Sequence, residues 1–97
     1  MKLDYLNQFL GTYILEARKK LGMNQIDLAR ALGFSAQFLG RIEKGEIGMP
    51  KEGLIKTIEV LCLNENKLHQ IYRMAGKLGV QDLFRLSRGH KKKTASR

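Results

Sequence analysis

Residues 24–45 read Asn24-Gln25-Ile26-Asp27-Leu28-Ala29-Arg30-Ala31-Leu32-Gly33-Phe34-Ser35-Ala36-Gln37-Phe38-Leu39-Gly40-Arg41-Ile42-Glu43-Lys44-Gly45. Asn24 is a residue type that satisfies the free N–H groups at a helix start, and Asp27 places an acid in the first turn. Leu28, Ala29 and Leu32 then fall on one face at helical spacing. Gly33 permits the left-handed conformation that stops a helix, and Ser35 restarts one at once. The restarted helix spans Ala36 to Lys44, with Leu39 and Ile42 as its inner positions, and Gly45 ends it. Ala29 is small where the two helices must approach closely. Helices of roughly eight residues are not stable alone, so their neighbours must hold these.

Outward from this pair the periodicity stays helical. Leu6, Leu10, Tyr13, Ile14, Ala17 and Leu21 recur at three- and four-residue steps between Leu3 and Leu21. Lys19 and Lys20 suit the C-terminal end of that first helix, and Gly22 suits its cap. Past a loop from Glu46 to Met49, Pro50 is placed to open a fourth helix whose inner face is Leu54, Ile55, Ile58 and Leu61. Asn64 caps a fifth, carrying Leu68, Ile71, Tyr72 and Ala75 and closed by Gly76. Val80, Leu83 and Phe84 suggest a further short helical turn. No strand alternation and no internal repeat stand out. The pattern predicts an all-α, compact bundle of about five helices over residues 1–87, followed by a basic flexible tail over 88–97.

The bulk numbers narrow the function. A chain of 97 residues, 43% hydrophobic and 28% charged, has the composition of one small globular domain, with little room for a catalytic cavity beside its core. His69 and His90 are far apart, and no nucleophile–base pair, phosphate-binding glycine loop or metal-ligand cluster is visible. No catalytic residue, metal or cofactor is therefore expected. Cys62, the one cysteine, lies in the apolar run from Ile58 to Leu63 and is expected to be a small buried core residue. A lone thiol suits a reducing cytoplasm. No apolar stretch approaches a membrane span, and the N-terminus has an early acid, Asp4, and no signal-like core. The formal charge is +9, of which Arg88, Lys91, Lys92, Lys93 and Arg97 contribute +5. Such a balance favours a polyanionic partner, because phosphate neutralisation releases condensed counterions.

Two short helices joined by a tight turn can set the second helix into a DNA major groove while the first crosses the backbone. The chain resembles the lambda-repressor-like (phage repressor, Xre) helix-turn-helix family. The resemblance rests on Arg18, Gly22, Gln25, Leu28, Ala29, Gly33, Ser35, Ile42, Glu43, Gly45 and Pro50, and covers roughly residues 8–76. It implies a repressor or regulator that binds double-stranded DNA as a homodimer. It implies that Gln25 bonds a phosphate, and that Ser35, Ala36, Gln37, Gly40 and Arg41 lie along the DNA-facing surface. Lys44 would sit over the opposite backbone, and Arg18 would pair with Glu43 inside the fold.

Departures from the family pattern are Ala36, which offers only a methyl group, Gly40, costly in mid-helix, and Lys51 after Pro50. Gly40 reads either as a place for close approach to DNA or as drift. The same fold also serves antitoxins, which bind a protein partner and repress their own gene. Val80, Leu83, Phe84 and Leu86 are the apolar residues that such a partner surface over 80–86 would use.

Overall fold

The computed structural model describes residues 4–77 and Arg85. Five helices follow in order: α1 (Tyr5–Lys20), α2 (Gln25–Leu32), α3 (Ala36–Glu43), α4 (Lys51–Leu61) and α5 (Glu65–Met74). No strand occurs among the described residues. The expected turn at Val80, Leu83 and Phe84, the possible partner surface over 80–86 (Arg85 apart) and the basic tail lie outside them.

Local chemistry sets most of the helix boundaries. Asp4 Oδ1 accepts from the Asn7 N–H at 3.2 Å, Ser35 Oγ from Phe38 N–H at 3.0 Å, and Asn64 Oδ1 from Lys67 N–H at 2.9 Å. At α2 the exchange is reciprocal. Asn24 Oδ1 accepts from Asp27 N–H at 2.7 Å, and Asp27 Oδ2 accepts from Asn24 N–H at 3.3 Å. Pro50 stands immediately before α4 with φ −58° and no side-chain cap bond.

Ile14, Leu28, Leu39, Ile42 and Leu68 are fully buried, so α1, α2, α3 and α5 all deliver apolar side chains to one core. α1 packs on α3, α4 and α5, while α2 packs on α3 and α4. The α1–α3 approach is a backbone contact at Gly11, where an added Cβ would collide with the carbonyl oxygens of Ile42 and Glu43. Tyr13 of α1 reaches α5 differently, its hydroxyl oxygen accepting from Asn64 N–H at 2.9 Å. Among the described residues no helix is long and apolar enough to cross a membrane.

Two expectations are corrected. Leu21 is not an inner-face residue: it is the C-terminal cap of α1 and stands 55% exposed. The chain turns away from the helix there, and Arg18, three residues earlier, fills the buried position instead. Cys62 is not in the core either. It follows the last turn of α4 with a left-handed φ of 52° and is exposed. The Leu63 N–H donates back to Ile58 O at 3.1 Å, which swings Leu63 into the core and Cys62 out of it.

Candidate nucleic-acid interface

α2, the turn at Gly33 and α3 form the candidate surface. Gly33 takes φ +76°, and the Phe34 N–H donates to Ala29 O at 2.8 Å, closing the turn. Phe34 and Phe38 meet edge to face with ring centres 4.9 Å apart and pack against the core. α3 buries Leu39, Ile42 and Glu43 and exposes Gln37 and Arg41, with Lys44 exposed at its C-cap. Gln37, Arg41 and Lys44 recur at four- and three-residue steps, so they lie on one face over successive turns. Ser35 is exposed as well, although its hydroxyl is engaged as the helix cap.

Ala36 and Gly40 are only half-exposed. Ala36 packs on the edge of the core. Gly40 has an internal reason that neither reading of the sequence contained. A Cβ at Gly40 would stand 3.2 Å from Nε2 of Gln25, so the bare backbone leaves room for the glutamine amide.

Behind this surface lies a polar cluster that joins three helices. Arg18 of α1 donates from Nε to Glu43 Oε2 at 2.7 Å and from Nη2 to Glu43 Oε1 at 3.1 Å. The Arg18 Nη1 donates to Met23 O at 3.0 Å, and Gln25 Nε2 donates to Glu43 Oε1 at 3.0 Å. A carboxylate accepts only, so three N–H groups converging on one Glu43 both satisfy it and orient the Gln25 amide. Among the described residues no buried side-chain nitrogen or oxygen lacks a partner. Gln25, the first residue of α2, is thus held at the junction of α1, α2 and α3.

A Gln side chain can bond an adenine edge in two places and an Arg side chain a guanine edge in two places, both in the major groove. Gln37 and Arg41 present those groups on the outer face, with Lys44 a further cation beyond them. Sequence reasoning passed over one neighbour. Glu46, treated as plain loop, accepts from Arg41 Nε at 3.3 Å. The signal that could have found it is Gly45, whose capping geometry brings the following residue back over the helix. Gly11 and Gly53 were also missed, the latter with a Cβ position blocked by the Phe34 ring and Met49 Sδ.

A family model described as helix-turn-helix matches residues 14–62, from the middle of α1 to the end of α4. No curated protein and no solved structure gives a significant match.

Proposed function

The chain belongs to the lambda-repressor-like helix-turn-helix family, and on that premise we propose that it is a transcriptional repressor that binds a specific double-stranded DNA site as a homodimer. The observation that carries this reading is the division of α3 into a buried apolar face and an outer face of Gln37 and Arg41, continued by Lys44 at the cap. In this reading α3 enters the major groove. Gln37 and Arg41 read bases, Ser35, Ala36 and Gly40 line the approach, and Gln25 and Lys44 settle on phosphates. Gln25 suits that part because Glu43 takes only one of its amide N–H groups. One short helix reads only a few base pairs, so two half-sites about 34–36 Å apart are needed for useful specificity.

Selection of bound sequences from random duplex DNA tests the proposal. The expected outcome is a pseudo-palindrome with two equal half-sites. No enrichment would overturn sequence-specific binding, and a lone asymmetric half-site bound at full affinity would overturn the dimer. A reporter placed behind the selected site should lose expression when the protein is supplied; a gain would replace repression by activation.

A further inference from the structure

The contact between Arg41 and Glu46 is built into the cap of α3. Gly45 takes φ +80°, its N–H donates to Ile42 O at 3.0 Å, and the Glu46 N–H donates to Arg41 O at 3.0 Å. This double bond pattern seats the residue after the glycine beside the residue five positions earlier. An apolar contact commonly fills that place. Here an ion pair does, Arg41 Nε donating to Glu46 Oε1 at 3.3 Å. Gly45 is itself fixed, since a Cβ there would fall 2.9 Å from Cα and Cγ of Gln8 in α1. Backbone bonds therefore bring the two side chains together. The backbone bonds fix where the two side chains start, while their own rotamer entropy still opposes the pair, as at any exposed ion pair.

The guanidinium carries five N–H groups in a rigid fork. Glu46 occupies Nε, and among the described residues the two Nη groups have no partner. We propose that Glu46 is a specificity-determining positioning residue, which holds Arg41 by Nε so that its Nη edge meets O6 and N7 of a guanine end-on. This rests on the reading that Arg41 contacts a base. The same carboxylate discourages the wrong use of Arg41. A free arginine swings to any nearby phosphate, whereas one tied to Glu46 is held back, and the carboxylate itself repels the phosphate backbone. When DNA excludes water from the pair, the attraction between Arg41 and Glu46 strengthens.

The test uses the full chain, the duplex selected for it, duplexes with every other base pair at each read position, and a random duplex. Wild type and the variants Arg41→Ala, Glu46→Ala and Glu46→Gln are compared. Wild type should favour the selected base at one position per half-site by about 5- to 150-fold, the range of one good bidentate pair. Arg41→Ala should abolish that preference. Glu46→Ala should bind random duplex severalfold more tightly and lose most of the preference at that same position. Preferences elsewhere should stay unchanged. Glu46→Gln keeps an acceptor oxygen and should fall between. Both side chains are exposed, 57% and 52%, so the melting midpoint should not move. Full preference in Glu46→Ala, where Arg41→Ala has lost it, would overturn the role of Glu46 and leave Arg41 as the reader. Preference kept by Arg41→Ala would overturn the reading of Arg41 and this inference with it. A loss spread evenly over all positions would also overturn the inference, since that marks poorer docking and not a freed arginine.

Discussion

Arg18 and Glu43 stand 25 residues apart in sequence and meet as a two-bonded fork, with side chains only 9% and 3% exposed. Their charges are removed from water, so each depends on the other and on the surrounding bonds from Gln25 and to Met23. The pair therefore acts as a brace between α1 and α3, directly behind the exposed face of α3.

Replacing Glu43 by Ala should destabilise the fold by about 3–5 kcal/mol, because it strands the Arg18 guanidinium in the interior. Removing both partners together, as in Arg18→Met with Glu43→Leu, should cost much less than Glu43→Ala alone. Urea denaturation of the single and double variants measures this. An unchanged midpoint in Glu43→Ala would mean that the charge is not buried in solution.

Gly11→Ala places a methyl group against the Ile42 and Glu43 carbonyls. Backbone cannot give way as a side chain does, so α1 and α3 must separate. The helix propensity gained, about 1 kcal/mol, should be outweighed by overpacking of about 1–3 kcal/mol or more. The expected result is a net fall in the denaturation midpoint, opposite in sign to an ordinary helical Gly→Ala change.

Gln37→Ala and Arg41→Ala should leave stability almost untouched, because both side chains are exposed. Each should weaken binding to the selected duplex by about 1–3 kcal/mol and relax preference at one position per half-site. Competition binding against single-base variants of the site measures this. A variant with wild-type affinity and preference removes its residue from the reading set.

The basic tail, Arg88 to Arg97, is proposed to add affinity without sequence preference, its charges settling on phosphates. Each phosphate neutralised contributes about −0.9 to the slope of log K against log salt. A chain cut after Ser87 should bind more weakly at low salt and show a shallower slope, yet select the same sequence. An untouched slope would make the tail a bystander, and a changed sequence preference would make it a reader of bases.

Legibility followed the range of the interactions involved. The caps at Asn24, Ser35 and Asn64 and the stop at Gly33 could be read directly, since each acts on backbone groups within four residues. The inner faces carried by Leu28, Leu32, Leu39, Ile42, Leu54 and Ile58 followed from helical spacing in the same way. Cys62 and Leu21 misled because an apolar residue at a helix end looks periodic while the chain is already turning. Glu46 was overlooked because a loop residue carries no periodicity to mark it.

By itself, then, the sequence determined the helices, their order and the two-helix unit at 24–45, because capping and amphipathic spacing are properties of neighbouring residues. Tertiary structure alone decided how the pieces meet. It decided that Gly11 must be bare to let α3 approach. It decided that the Gln25 amide lies over Gly40 and bonds Glu43. It placed Cys62 outside the core. Steric contact, and the need to satisfy every buried polar atom, are set by distances between residues far apart along the chain, and those distances exist only once the chain has closed on itself.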